Sequence, residues 1–482
     1  MCDSYDFNGG DMSKGNKCFT VVILNFSLII TLALFQAYAN AQEKNDKPPH
    51  LDIAEKILKK GLQEEGAYAI LKKIASVGPR LTGSPQAAAA VRIMYQEMSD
   101  LGFDDAHLEP TWVGRWIRGE EEQARLVSSQ IGSIPLSICA IGGSIATPKT
   151  GISAQVVEAH SFQELQKMKD KINGKLVFFN RPMDPTLFET FMAYGEAADQ
   201  RVSGAAEAAK LGAVAVLVRS LTQRIDDFPH TGLMRYESDI PQIPAACIST
   251  KGADLLSELL KKDPDLNVYI RLDCKRLSPV TSYNVVAQLT GTEKPNEIIL
   301  LGGHLDSWDL GTGAHDDGAG CAHAVEALRL IDELKLRPKR TIRAVMFMDE
   351  EFGGTGGRDY ARSNNRKDEV HLAAIESDRG GFAPRGFGIG AEPKTVEHLQ
   401  GWQYLFEPLG TLWIRQGGGG VDIAPLAKQG TITIGLIPEF HSYFDYHHSG
   451  RDVLQAVNPR ELELGAIAMA IFSYVIAQEG VD

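Results

Sequence analysis

Five short segments in the C-terminal half of the chain each carry metal-type ligands: His304-Leu305-Asp306, His315-Asp316-Asp317, Asp349-Glu350-Glu351, Glu376-Ser377-Asp378 and Tyr446-His447-His448. Several follow an apolar, β-prone run and precede small or Gly-rich residues. That pattern confines the chain to an α/β architecture, in which strands end at their carboxyl edge in a shared crevice. Imidazoles mixed with carboxylates, with no Cys among them, suit Zn²⁺ at a catalytic rather than a structural site. The chemistry these segments imply is metal-assisted hydrolysis.

The runs before the ligands set the expected elements. Glu297 to Leu301 reads as a buried strand ending at Gly302-Gly303-His304, and Thr341 to Met348 as a strand ending at Asp349. His371 to Glu376 leads to Asp378, and Thr431 to Gly435 is a further strand. Helices are predicted from Gly320 to Leu334 and from about Pro459 to Gln478, and helical periodicity also covers about Leu51 to Leu101. Between them, Gly78 to Pro85 has turn chemistry.

The stretch from 126 to 278 reads differently. Short β-like runs at 155–158, 175–179, 213–218 and 243–248 alternate with helices over Gly204–Leu211 and Thr250–Lys261. The expected fold class is therefore α/β: a mixed, mostly parallel central sheet flanked by helices, with a smaller inserted α+β domain. The expected boundaries are 1–41 as a signal peptide, 42–125 and 279–482 as the two parts of the catalytic domain, and 126–278 as the insert. The insert holds few convergent His and carboxylate residues, so it is assigned to gating, shape or substrate access.

Bulk properties exclude more than they select. A formal charge of −13 with no dominant basic face argues against a nucleic-acid partner. Lys14 and Lys17 precede an apolar stretch from Phe19 to about Phe35, and Ala37-Tyr38-Ala39-Asn40-Ala41 offers small residues for cleavage. The expectation is a secreted or periplasmic protein, with no stable membrane insertion after signal cleavage. Cys139, Cys247, Cys274 and Cys321 lie beyond the signal without CxxC spacing, which leaves both disulfides and buried thiols open.

A two-zinc hydrolytic site needs a bridging carboxylate, terminal ligands on each ion and a separate base. The five segments supply these pieces, and their types and order resemble the co-catalytic di-zinc aminopeptidase family. That family includes bacterial leucyl aminopeptidases and glutamate carboxypeptidases. The resemblance runs from about Ala67 to the C-terminus; Gly302 to Asp309 and the insert look most like its Q-type carboxypeptidase branch. It implies the zinc exopeptidase fold, a protease-associated-like insert and two Zn²⁺ per subunit. His304 and Asp378 would bind one ion, Glu351 and His448 the other, and Asp316 both, with a cis Asp316–Asp317 peptide. Glu350 would be general base and then acid, and Asp306 would orient His304. The choices of Glu350 over Glu351 as base, and of His448 over His447 as ligand, rest on family register.

For the substrate, the resemblance implies a dipeptide or short peptide with free termini. It places Asp422 and Tyr443 near the substrate, and His230 is the one residue of the insert expected to reach a substrate terminus. It also allows a homodimer. The run Ser449-Gly450-Arg451-Asp452-Val453 departs from the usual ending after the last His ligand, where a Thr commonly follows the Asp. Two other classes compete: a non-catalytic relative acting as a binding module, and a single-zinc glutaminyl cyclase. A serine hydrolase is disfavoured because no Gly-x-Ser-x-Gly elbow follows a strand.

Overall fold

The computed structural model describes residues 48–363, 366–410 and 412–481. Two compact units are distinguished, Met1–Asp52 and Ile53–Asp482. Only residues 48–52 of the first are described, so the signal peptide expected over 1–41 lies outside the described residues.

The strands of the second unit, in chain order, are β1 (Asp104–Ile117), β2 (Glu122–Ser128), β3 (Gly132–Leu136), β4 (Ile138–Ala140), β5 (Ile152–Ala159), β6 (Leu176–Phe179), β7 (Ala215–Arg219), β8 (Ala245–Ile248), β9 (Asn267–Leu272), β10 (Lys275–Leu289), β11 (Lys294–His304), β12 (Arg340–Phe347), β13 (Val370–Glu376), β14 (Pro384–Gly390), β15 (Trp413–Gln416) and β16 (Ile432–Pro438). They form two eight-stranded sheets.

The first sheet has the order β1-β10-β12-β11-β13-β16-β14-β15. Its centre, β12-β11-β13-β16, is parallel. The β1-β10, β10-β12 and β16-β14 pairings are antiparallel, and β14-β15 is again parallel. The parallel centre brings the carboxyl ends of four strands to one edge. His304 is the last residue of β11, Glu376 the last of β13, and Asp349 lies just past β12. The expected strands at these places are present. β1, β10, β14 and β15 were not foreseen. β1 contains Pro110 and several polar residues, and its outer face stays partly open to solvent, so its pattern lacks a continuous apolar run.

Helices Gly66–Ala75, Ala319–Glu333 and Pro459–Glu479 pack together on one face of this sheet. Pro459–Glu479 is long and apolar enough to cross a membrane by composition, but most of it is buried inside the fold. It starts where the sequence supplies both a cap and a first-turn proline: the Asn458 side chain accepts the N–H groups of Arg460 and Glu461, and Pro459 follows. Ser84 and Pro85 do the same for Pro85–Asp100. The opposite face of the sheet is closed by a cluster that includes Leu300, Val345, Phe347, Tyr360 and Ile423.

The second sheet has the order β3-β2-β9-β5-β6-β7-β8-β4. Its β5-β6-β7-β8 core is parallel, and helix Phe162–Lys167 crosses from β5 to β6 while Thr190–Ala197, Asp199–Val202 and Gly204–Ala209 cross from β6 to β7. Cys139 and Cys247 face each other across β4 and β8. All four described cysteines are buried free thiols. This decides for the structure the alternative that sequence left open.

Candidate metal centre

At the carboxyl edge of the first sheet, two groups of ligand atoms converge: His304, Asp316 and Asp378 in one, Asp316, His447 and His448 in the other. Asp316 belongs to both. His304 Nε2 lies 3.3 Å from Asp316 Oδ1 and 3.4 Å from Asp378 Oδ1. On the other side, His448 Nε2 lies 3.2 Å from Asp316 Oδ2 and 3.1 Å from Glu351 Oε2. The neighbouring His447 Nε2 is 3.8 Å from Asp316 Oδ2, with the two imidazoles stacked 3.5 Å apart.

These donors fit a bound cation. His304 Nε2, Asp316 Oδ2 and Glu351 Oε1 are buried yet have no hydrogen-bond partner among the described residues. Orphaned buried acceptors are costly unless something else satisfies them. Electrostatics point the same way. Burial opposes the charged forms of His304 and His448, but the facing carboxylates outweigh it and hold both imidazoles well above their ordinary pKa. Burial would likewise raise the Asp316 carboxyl, but the imidazoles of His304 and His448 hold it well below the usual carboxylate range. Burial and the neighbouring Asp316 push Glu351 up to about 7. Glu350 lines the same cavity, where desolvation raises its pKa well above the ordinary value. A set of imidazole and carboxylate donors, from which a bound cation would displace the protons, is the donor chemistry of Zn²⁺.

The backbone here is unusual. The Asp316–Asp317 peptide is cis, as the resemblance implies, and Asp349 (φ 74°) and His448 (φ 59°) occupy the left-handed region. Non-glycine residues stay there only where surrounding contacts over-determine them. Around His448 those contacts come from the second sheet's connecting segments. Thr231 N–H donates to the His448 carbonyl at 2.9 Å, and the Thr231 carbonyl faces His448 Nδ1 at 3.2 Å.

Asp306 acts through different atoms than expected. His304 Nδ1 bonds to the backbone carbonyl of Asp306 at 3.0 Å, while the carboxylate stands 3.8 Å away. That carboxylate accepts the N–H groups of Asp349 (2.8 Å) and Glu350 (3.2 Å) and the Thr82 hydroxyl. It therefore sets the turn that carries Glu350 and Glu351. Arg80, in the predicted turn before Pro85, is fully buried and ties down the next loop through the carbonyls of Leu305 (2.7 Å) and Gly313 (2.9 Å).

The centre opens into a cavity of about 620 Å³, a volume suited to a small ligand. Tyr443 lines it, stacked on Phe191 with ring centroids 5.1 Å apart. Gly419, Gly420 and Val421 line it, but the next residue, Asp422, is buried and does not. His230 also departs from expectation. It is buried, and its Nδ1 bonds to the His447 carbonyl at 2.7 Å, so it braces the ligand segment instead of facing substrate. The cavity wall contains residues that sequence reasoning missed, among them Tyr194, Arg201, Arg235 and Arg379. None carries a metal-ligand signature, and only the fold brings them to the site.

The chain is similar to known proteins in sequence and in fold. Residues 284–473 match Peptidase family M28. Carboxypeptidase Q from Bos taurus is 35% identical over 441 residues, which covers 90% of this chain and 91% of the relative. Among solved structures, a peptidase M28 precursor from Shewanella amazonensis SB2B superposes with a TM-score of 0.85 at 36% identity, covering 90% of this chain and 98% of the other. BSAP, a zinc aminopeptidase from Bacillus subtilis, shares the fold at 18% identity with a TM-score of 0.61, covering 85% and 94%. On this evidence the chain belongs to peptidase family M28.

Proposed function

We propose that the protein is a two-zinc exopeptidase that hydrolyses dipeptides or short peptides with free termini. The observation that carries this is the placement of Asp316 between two ligand groups, one oxygen facing His304 and the other facing His448. In this reading His304 and Asp378 would hold one zinc, Glu351 and His448 would hold the second, and Asp316 would be shared between them. Bound zinc would supply Lewis-acid polarisation of the scissile carbonyl and a lowered pKa for the attacking water.

The protein's own residues do the rest. Glu350 accepts a proton from the attacking water and returns it to the leaving amine. Its pKa, raised by desolvation, makes it a stronger base than an exposed glutamate and suits it to both transfers. The Asp306 carboxylate holds the Glu350 backbone in place. Tyr443 and Phe191 offer an apolar wall to a substrate side chain. The segment 126–278 serves as an access module, and the hydrogen bonds of Thr231 and His230 to the His447-His448 segment support that role. Export through a cleaved N-terminal signal completes the reading. The names of the similar proteins, carboxypeptidase Q and zinc aminopeptidase, support the peptidase class and the metal.

The test is metal analysis of purified protein together with a panel of free and N-acetylated dipeptides. Two equivalents of zinc and selective hydrolysis of the free dipeptides are expected. Equal rates on acetylated substrates would remove the free-terminus requirement, and a single equivalent of zinc in fully active enzyme would remove the two-ion mechanism.

A further inference from the structure

We infer that a basic annex of the metal-site cavity receives the acidic side chains of a peptide segment that follows the scissile bond. The inference rests on the peptidase reading above and deepens it by naming a substrate class, acidic oligopeptides of more than two residues.

A second cavity, of about 460 Å³, adjoins the first. Both are lined by Leu233, Arg235, Glu350, Val421 and Ala424, so the annex begins at the proposed general base. Its wall carries four cations, Arg235, Arg358, Arg362 and Lys428, against one carboxylate, that of Glu350 itself. This inverts the balance of the whole chain, which has 62 acidic and 49 basic residues. All four cations are exposed, and none has an ion-pair partner among the described residues. Arg358 Nη1 donates only to a backbone carbonyl, that of Gly353, at 2.7 Å. The Asp349 carboxylate, which feels the charge of Arg358, is buried outside this wall and accepts the Thr355 hydroxyl at 2.8 Å.

Three separate elements supply the charges. Arg358 and Arg362 stand four residues apart on helix Thr355–Arg362, a spacing that puts side chains on one face, where like charges repel. Lys428 follows helix Ala424–Ala427. Arg235 comes from the segment between β7 and β8, its N–H fixed on the Val202 carbonyl at 2.9 Å. Cations gathered in a concave site without counter-charges concentrate anionic ligands there. Guanidinium groups match carboxylates in a bidentate fork. Between the charges the wall is apolar, with Leu233, Phe352, Pro425 and a 54% exposed Val421. That mixture suits a peptide with acidic side chains better than a bare inorganic anion.

Direction follows from the chemistry. Glu350 returns its proton to the leaving amine, and that amine belongs to the fragment after the scissile bond. A cavity that opens at Glu350 therefore lies on the side of the leaving fragment. Tyr443 and Phe191 line the first cavity and not the annex.

The experiment measures kcat/KM for release of alanine from Ala-Leu-Glu-Glu and Ala-Leu-Gln-Gln by zinc-loaded enzyme at about 20 mM salt. The two peptides have the same termini, so their ratio reads the side-chain charges alone. The wild type should favour the acidic peptide by ~5-fold or more, as two exposed ion pairs would. The ratio should fall toward one in Arg358→Gln/Arg362→Gln, and in the wild type at about 300 mM salt, where screening is strong. A wild-type ratio of one, or an undiminished ratio in the double variant, overturns the assignment. Lys428→Gln carries the same test, with a smaller fall, if the double variant fails to fold. A preference in leucine release from Glu-Glu-Ala-Leu over Gln-Gln-Ala-Leu, with none in the first pair, would put the charges ahead of the bond and overturn the direction. Hydrolysis of alanyl-leucine with neither of the first two tetrapeptides cleaved overturns the annex as a subsite. If the wild type hydrolyses none of these peptides, the peptidase reading fails. Calorimetric binding of the first two tetrapeptides to wild type and to the double variant then still decides the annex.

Discussion

The Asp452 carboxylate accepts the backbone N–H of Asp316 at 3.1 Å through Oδ2, and those of Ala314 (3.0 Å) and His315 (2.7 Å) through Oδ1. One carboxylate therefore gathers three successive amides of the loop that presents Asp316 to both ligand groups. Burial pushes its pKa up to about 7, opposed by those same N–H donors. Asp452→Asn should keep the Oδ1 contacts but turn an NH₂ donor toward the Asp316 N–H. Loss of such support beneath a metal ligand typically costs 10–100-fold in metal affinity or activity. Zinc titration of the variant against a competing chelator should show a loss of about that size, and wild-type affinity would remove Asp452 from the support of the site.

Glu350 and Glu351 are adjacent yet differently placed. Glu351 Oε2 is 3.1 Å from His448 Nε2, and Glu350 lines the cavity with its amide held by Asp306. Glu350→Gln should keep the wild-type zinc content and lose ~10²–10⁴-fold in kcat, the usual worth of a general base. Glu351→Gln should lose metal. Zinc loss in the first variant with zinc retention in the second would exchange the two roles.

The ligand segments were legible in the sequence because each closes a run with a visible period. Glu297 to Leu301 is continuous apolar strand before His304, and Thr341 to Met348 before Asp349, as parallel strands buried on both faces must be. Direction and atom choice were not legible. Nothing in the residues around Asp306 says that its carbonyl, and not its carboxylate, takes the His304 Nδ1 hydrogen bond. Arg201 sits in a four-residue helix, Asp199–Val202, with no ligand spacing around it, and acquires meaning only through the Thr231 carbonyl it shares with His448. His230 was picked out by residue type, but a type does not say whether an imidazole faces a cavity or a backbone.

His230 offers a direct check on that last point. Burial lowers its pKa to about 4, so it stays neutral and keeps Nδ1–H on the His447 carbonyl. His230→Ala would leave that buried carbonyl without its partner, at a cost of about 1–3 kcal/mol. The expected outcome is a lower melting temperature and weaker zinc retention, with KM for a dipeptide little changed in the zinc-saturated enzyme. A large rise in KM with stability intact would restore His230 to the substrate site.

Outside the metal centre, Glu463 is buried between helices with its Oε2 accepting the Ala67 N–H at 2.9 Å. Burial, reinforced by the nearby Glu326 carboxylate, pushes its pKa up to about 8. Arg329 grips Glu326 through Nε (2.7 Å) and Nη2 (2.6 Å), a contact that favours the ionised form of Glu326 and is not shared by Glu463's Oε2. In the unfolded chain Glu463 would titrate near the ordinary glutamate value of 4.5. Between these two values the folded protein binds the extra proton, so stability falls as pH rises through that window. The stabilising contribution is complete below the lower value and is lost as pH passes through the upper one. Glu463→Gln retains an oxygen for the Ala67 N–H and cannot ionise. Its melting temperature relative to wild type should therefore climb steadily from pH 5 to pH 8. A difference that stays constant over that range would mean that Glu463 titrates normally in the folded protein.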